Sequence, residues 1–197
     1  MRRTVFLARH GETEWNREGR WQGHTDVELN QTGHGQARAL AEVLRAHDVA
    51  RIHTSDLRRA RQTAETVAAA LGVTDLVVDR ALRERSFGIF EGLTREECQH
   101  RHPELWARYR ANPRDVPPGA EGHDVLAARM HEAVLRATRH EAAAQGPVLI
   151  VSHGGSIRAL LAHLTGTMPA PLGNVAVFRA VATADGLQEI TLLNVAP

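Results

Sequence analysis

The chain of 197 residues has the length of one domain, or of one domain with an elaborated insertion. Its 24 basic residues are all arginine and face 23 acidic ones, so a net charge of +1 gives no bias toward nucleic acid or membrane. The absence of lysine excludes Schiff-base chemistry and lysine-dependent phosphate loops, and the lone Cys98 excludes a disulfide framework or a multi-cysteine metal site.

The first predicted element is a strand at Thr4–Ala8, whose continuous apolar run reads as buried on both faces. That run is too short for a signal-peptide core, and none approaches the roughly 18 apolar residues of a membrane span. A cytoplasmic, soluble protein without membrane or nucleic-acid partners is expected. Gly11 ends the strand, and a polar stretch follows with turn signals at Gly19, Gly23 and Asn30. Thr32 is placed to cap a helix carrying Ala37, Leu40, Ala41 and Leu44 on one face.

A second strand is predicted at Val49–Thr54. Ser55 and Asp56 then offer capping oxygens to a helix with Ala60, Ala64, Val67, Ala68 and Leu71 as its stripe. Gly72 terminates it, and Leu76–Val78 is a third strand. Residues 83–123 break this rhythm with glycines, prolines and short helical patches around Trp106 and Tyr109, and read as an insertion or lid lying over the sheet within a single domain, 1–197. Asp124 caps a long helix, Val148–Val151 is the cleanest strand, and a helix spans about Ser156 to Leu164. Two last strands, Asn174–Ala180 and Leu187–Asn194, form a hairpin at the sheet edge around Ala184-Asp185-Gly186. The alternation predicts an α/β fold, a three-layer α/β/α sandwich around a mostly parallel central sheet with an antiparallel edge.

In such sheets ligands collect at the carboxyl ends of strands. Three predicted strands end in Arg9-His10-Gly11, in Thr54-Ser55-Asp56 followed by Arg58 and Arg59, and in Ser152-His153-Gly154-Gly155. Parallel strands would bring both histidines and at least two arginines to one edge. Glycine after each histidine would let a ligand approach the backbone, and a helix N-terminus beyond Gly155 favours an anion. Two imidazoles among guanidiniums make a poor metal site and a good one for a phosphoryl group. Glu84 is the candidate general acid, with Glu91 and Glu121 as nearby alternatives.

At this point the sequence resembles the histidine phosphatase superfamily, the phosphoglycerate-mutase-like group. The resemblance is carried by Leu7-Ala8-Arg9-His10-Gly11-Glu12-Thr13 through Asn16, by Ser55-Asp56-Leu57-Arg58-Arg59-Ala60, by Leu82-Arg83-Glu84 with Phe90-Glu91-Gly92, and by Val151-Ser152-His153-Gly154-Gly155. It implies a nucleophile at His10 forming a phosphohistidine, phosphoryl binding by Arg9, Arg59 and His153 with Asn16 beside them, and a proton donor at Glu84. It implies no metal and no organic cofactor. Gln22, Gly23 and Gly154 are expected substrate contacts, and Arg20 and Thr25 lie in the same loop region.

The first expectation is a phosphatase acting on a small phosphorylated metabolite; the second is a bisphosphoglycerate-dependent phosphoglycerate mutase. Mutases of the group carry a lysine and paired arginines in a longer insertion. This chain has no lysine, and Arg101, Arg108, Arg110 and Arg114 are scattered. A silent binding module is disfavoured because Arg9, His10, Arg59, Glu84 and His153 are all present. His100 and His102 do not share a helix face and read as solvated. The other histidines outside these blocks read mostly as surface residues, and Cys98 as structural. Trp106 and Tyr109 could pack the insertion or line the pocket. The terminal hairpin leaves a sheet edge for a possible homodimer.

Overall fold

The structure, a computed structural model, describes residues 2–112, 115–139, 146–183 and 186–193. Six strands form one sheet in the order β3-β2-β4-β1-β5-β6. β1 (Arg3–Arg9), β2 (Arg51–Thr54), β3 (Leu76–Val78) and β4 (Val148–Ser152) run parallel, while β5 (Val177–Thr183) and β6 (Gly186–Leu193) close one side antiparallel. The helices are α1 (Glu14–Arg17), α2 (Gln31–Leu44), α3 (Arg58–Leu71), α4 (Arg95–Arg101), α5 (Pro103–Ala111), α6 (His123–Arg139) and α7 (Gly154–Thr165).

Side-chain alternation along β1 and β4 builds both halves of the core. Val5, Leu7, Val148 and Ile150 pack against Met130 and Val134 of α6 and Ile157 and Leu160 of α7. Phe6, Ala8, Leu149 and Val151 point the other way, onto Leu40 and Leu44 of α2 and Ala64 and Val67 of α3. The architecture is therefore the three-layer sandwich, with a mostly parallel sheet and an antiparallel edge. Because crossovers cover both faces, Val5–Ala8 and Val148–Ser152 are buried without interruption, as the unbroken apolar runs predict.

Several local expectations are corrected. Asn30, not Thr32, caps α2: its side chain accepts the Gly33 N–H at 2.8 Å, and the helix begins two residues earlier than a Thr32 cap allows. Asp56 does not cap α3; its carboxylate takes a bidentate pair from Arg83 at 2.7 and 2.6 Å, leaving Leu57 as an N-cap without a side-chain bond. Asp124 lies within the first turn of α6, which starts at His123. The helix expected from Ser156 begins at Gly154, directly after His153. β2 starts at Arg51 rather than Val49, and β5 at Val177 rather than Asn174. Asn194 and the turn residues Ala184 and Asp185 lie outside the described residues.

Segment 83–123 carries a small core of its own, in which Phe90, Cys98 and Trp106 are buried and Trp21, Phe87, Leu93 and Tyr109 pack around them. Trp21 comes from the loop after α1, so this cluster joins two long loops above the carboxyl ends of the parallel strands. Among the described residues no helix is long and apolar enough to cross a membrane.

Candidate active site

The sheet register sets the site. Arg9 pairs with Ser152 across β1 and β4, and Thr54 with Val151 across β2 and β4, so the three strands end within one residue of one another. The next residues, His10 and His153, bring their rings to 5.1 Å between centroids. The His10 backbone is held from both sides: its N–H donates to Ser152 O at 3.0 Å and its carbonyl accepts from the Asn174 amide at 3.1 Å.

Hydrogen bonds fix the tautomer of each imidazole. His10 Nδ1 lies 2.6 Å from Gly11 O, and a carbonyl can only accept, so Nδ1 carries the proton and Nε2 keeps a lone pair. Arg59 Nε donates to His153 Nδ1 at 3.2 Å, which places the His153 proton on Nε2. That Nε2–H is buried without a partner, as is Arg9 Nε. Buried orphan donors are costly, and two of them beside one cleft mark a demand for an acceptor.

Both histidines are held well below the ordinary imidazole pKa. The cause is burial first, then the charge of Arg59, with Arg9 adding to it and, at His10, the Gly11 carbonyl opposing. Burial also lowers Arg59 to about 10, with Glu84 the largest opposing charge, so the guanidinium stays ionised at neutral pH. Arg59 is fully buried, and donates through Nη2 to Gly23 O at 2.8 Å and through Nη1 to Thr25 O at 2.9 Å. Three of its five N–H groups are thereby used, which fixes its plane and leaves two for a ligand.

Glu84 faces the histidines from the loop after β3. Its Oε1 accepts from Arg85 N at 2.8 Å and Ser156 N at 3.0 Å, while the single Ser156 hydroxyl proton goes to Arg83 O at 2.7 Å. Oε2 accepts only from Gly155 N, at 3.0 Å. Asn16 stands on the other flank. Its Oδ1 takes the Thr13 N–H and hydroxyl at 3.1 Å and the Asn174 amide at 3.3 Å, so its NH2 is turned to the cleft. The Asn174 turn is strained to do this, because Val175 adopts a φ of 51°, a conformation that β-branched residues avoid.

Around these groups lies a cleft of about 230 Å³ that Arg9, His10, Asn16, Arg59 and Glu84 line. Its chemistry is that of an oxyanion site with a neutral imidazole lone pair at its floor and a carboxylate at its wall. Among the described residues no three His, Cys, Asp or Glu side chains are grouped to hold a metal ion.

Comparison with known proteins agrees with this geometry. The family model of the histidine phosphatase superfamily (branch 1) matches residues 5–192. The chain belongs to that superfamily. The glucosyl-3-phosphoglycerate phosphatase of Mycolicibacterium vanbaalenii is 37% identical over 95% of this chain and 84% of its own length. The 2,3-bisphosphoglycerate-dependent phosphoglycerate mutase of Mesorhizobium japonicum is 35% identical over 84% of this chain and 83% of its own. Among solved structures, a mycobacterial glucosyl-3-phosphoglycerate phosphatase complexed with VO3 superposes with a TM-score of 0.85 at 31% identity, covering 98% of this chain and all of that one.

This histidine phosphatase superfamily member brings Arg9, His10, Asn16, Gln22, Gly23, Arg59, Glu84 and Gly154 to one cleft, with His153 directly behind it. Arg20 also lines it, whereas Thr25 turns its side chain to Glu91. Of the glycines after the histidines, Gly154 lines the cleft, whereas Gly11 and Gly155 serve a different purpose from the one expected. A Cβ on Gly11 would stand 2.5 Å from Gly33 O, and one on Gly155 would stand 2.4 Å from Glu84 Oε1. Gly11 therefore admits the backbone at the start of α2, and Gly155 admits a carboxylate of the protein itself.

The alternatives to Glu84 are occupied elsewhere. Glu121 pairs with Arg129 at 2.7 Å. Glu91 accepts from His24 N, Thr25 N, Thr25 Oγ1, Ser86 Oγ and Phe87 N, all between 3.0 and 3.2 Å, and so ties two loops together. Three histidines expected at the surface have structural contacts: His53 is buried in β2, His123 lies 3.0 Å from Arg85 Nη1, and His24 Nε2 donates to Glu84 O at 2.9 Å. Arg58 and Arg61 are exposed ion-pairing residues, and Arg114 and His140 lie outside the described residues. Trp106 belongs to the insertion's core, while Tyr109 reaches Arg85 at 3.4 Å beside the cleft. Burial pushes the Cys98 thiol up to about 11, away from thiolate chemistry. Sequence reasoning passed over Arg158 and Asn174, although Arg158 follows Gly154 by one helical turn and was open to that inference.

Proposed function

We propose that the protein is a metal-independent phosphomonoesterase that hydrolyses a small phosphorylated metabolite through a phosphohistidine on His10. The observation that carries this reading is the His10 Nδ1–H bond to Gly11 O, which leaves Nε2 as a free lone pair beside unmet donors of Arg9 and His153. In the first step Nε2 attacks phosphorus, the N–P bond forms and the ester P–O bond breaks. The leaving oxygen takes a proton from Glu84. In the second step Glu84 accepts a proton from water as that water attacks phosphorus, and the P–N bond breaks to release phosphate and neutral His10.

Arg9, Arg59, His153 and the Asn16 amide hold the phosphoryl oxygens through this exchange. Glu84 uses Oε2, since Oε1 already accepts two backbone N–H bonds and Oε2 one. Segment 83–123 acts as the lid of the site, because Glu84, Phe87 and the cluster with Trp21 belong to it or pack on it.

Relatives of both kinds, phosphatase and mutase, resemble this chain, and the two reactions differ only in what receives the phosphoryl group. The phosphatase reading is favoured by the absence of any lysine and of an adjacent arginine pair between residues 85 and 125. Phosphate release from a panel of phosphomonoesters in EDTA tests it. Labelled substrate should leave acid-labile, alkali-stable phosphate on the protein, and none on His10→Ala. Primer-dependent isomerisation of 3-phosphoglycerate with little phosphate release would establish the mutase instead.

A further inference from the structure

The leaving group of an ester bound over His10 must lie toward Glu84, and there the cleft opens into a second recess of about 120 Å³. The recess shares Trp21, Phe87, Gly155 and Arg158 with the cleft and adds Arg85 and Tyr109. Two guanidiniums line it, and no carboxylate does.

Arg85 is only 2% exposed, yet it has no ion pair among the described residues. Its Nε donates to the Glu121 backbone carbonyl at 2.7 Å, and its Nη1 reaches Tyr109 Oη at 3.4 Å and His123 Nε2 at 3.0 Å. Its Nη2 is buried with no partner. The nearby Glu121 carboxylate is already held by Arg129. Phe87 and Tyr109 place their rings 5.6 and 5.8 Å from the guanidinium carbon and fix its plane. A cation this deeply buried is normally paired, because leaving it unpaired is costly.

Arg158 completes the arrangement. It lies one turn beyond Gly154 on the same face of α7, at the junction of the two cavities. Its Nε donates to Pro169 O at 2.9 Å, which anchors the stem, and neither Nη has a partner among the described residues. Two planar forks without counter-charge, flanked by aromatic walls, match a planar anion.

We propose that the recess is a subsite for a carboxylate on the leaving group. The substrate is then the phosphate monoester of a hydroxy acid, with its phosphoryl group over His10 and its carboxylate between Arg158 and Arg85. This rests on reading the cleft as a phosphoester site and adds the chemical class of the alcohol.

The test is calorimetric binding to the His10→Ala protein, which cannot turn the ligands over. Two matched pairs are compared, 3-phosphoglycerate with glycerol 3-phosphate and O-phosphoserine with phosphoethanolamine; each pair differs by the carboxylate. In at least one pair the acid should bind about 30-fold more tightly, and Arg158→Gln should reduce that ratio about tenfold or more, as expected for charge-assisted hydrogen bonds. Arg85→Met, whose thioether fills the same aromatic slot, should reduce the ratio in the same direction. Equal binding within both pairs, or a preference that survives Arg158→Gln, overturns the subsite while leaving the phosphoester reading intact. Absence of binding by all four esters and by inorganic phosphate overturns both. A bisphosphate bound more tightly than either acid, through Arg158, overturns the carboxylate assignment.

Discussion

Burying two neutral histidines has a cost in acid that can be measured without any knowledge of the substrate. In an unfolded chain each imidazole takes up a proton near pH 6.5, whereas His10 and His153 are held well below that value when folded, by burial and by the charge of Arg59. Above pH 6.5 both states are neutral and the pair has no effect on folding. Below it the unfolded state binds more protons, so stability falls as the pH falls, until the folded imidazoles themselves titrate. Each histidine then contributes a slope of about 1.4 kcal/mol per pH unit, and the pair about 2.7. At pH 5, some 1.5 units below the unfolded value, the loss is about 2 kcal/mol for each histidine that is still neutral in the folded state.

The perturbation is His10→Asn, whose amide N–H can keep the bond to Gly11 O while removing the titrating ring. Urea unfolding of the parent and the variant from pH 8 to pH 5 isolates the term, because the carboxylates contribute alike to both. The parent should lose more than the variant over that range, by up to about 2 kcal/mol. Parallel curves would refute the reasoning, since His10 would then protonate in the folded state as readily as in the unfolded one. The same measurement bears on catalysis: a nucleophile that stays neutral below pH 6.5 moves the acid limb of activity away from His10.

Other substitutions probe the proposed roles separately. Arg59→Lys removes at least two of the bonds to Gly23 O, Thr25 O and His153 Nδ1, and should cost about 2–4 kcal/mol in urea unfolding and at least about 100-fold in kcat/KM. Gly155→Ala would place a Cβ 2.4 Å from Glu84 Oε1 and push the carboxylate aside. Its kcat should fall about 100-fold for alkyl phosphates and far less for p-nitrophenyl phosphate, whose leaving group needs no proton. Equal losses for both would remove Glu84 as the acid. Glu91→Gln sets an amide NH2 against N–H donors at the junction of two loops, and should destabilise by about 2 kcal/mol while raising KM. An unchanged unfolding midpoint would show that Glu91 does not hold the loops.

How far the sequence could be read follows from what each feature depends on. The strands at Val5–Ala8 and Val148–Val151 and the stripes of α2 and α3 were legible, because burial on a sheet face or helix stripe writes itself into periodicity. Their alignment at one edge followed from parallel pairing, and that alone gathers His10, His153 and Arg59. Caps were read less well. Asn30 and Thr32 are both good cap residues, and the choice was made by Gly33, whose close approach to Glu12 O fixes where α2 begins. Asp56 was read as a cap because the sequence does not show that Arg83 reaches it across 27 positions. Asn174 was illegible for a related reason. Its role lies in a turn 158 residues from Asn16, and no local pattern marks an amide that orients another amide.

The least legible feature is also the most informative. A glycine-rich helix start after His153 reads in sequence as a cradle for the ligand's phosphate, because N–H groups at a helix N-terminus attract anions. In the folded protein two of those N–H groups, on Gly155 and Ser156, are taken by Glu84. The positive end of α7 therefore positions the group that would exchange the proton, and on the proposed reading a phosphoryl group would be left mainly to side chains: Arg9, Arg59, Asn16 and the orphan N–H of His153. This division has a consequence for binding. A phosphate held mainly by side-chain donors from separate loops depends on their mutual placement, which Arg59 sets by gripping Gly23 and Thr25, and Glu91 by gripping Thr25 and Phe87. Loosening either grip should weaken inorganic phosphate binding without moving Glu84, whereas Gly155→Ala should move Glu84 and leave phosphate affinity within about threefold. Calorimetric titration of the Glu91→Gln and Gly155→Ala proteins with phosphate separates the two. Equal losses of affinity would mean that the α7 N-terminus holds the phosphoryl group after all.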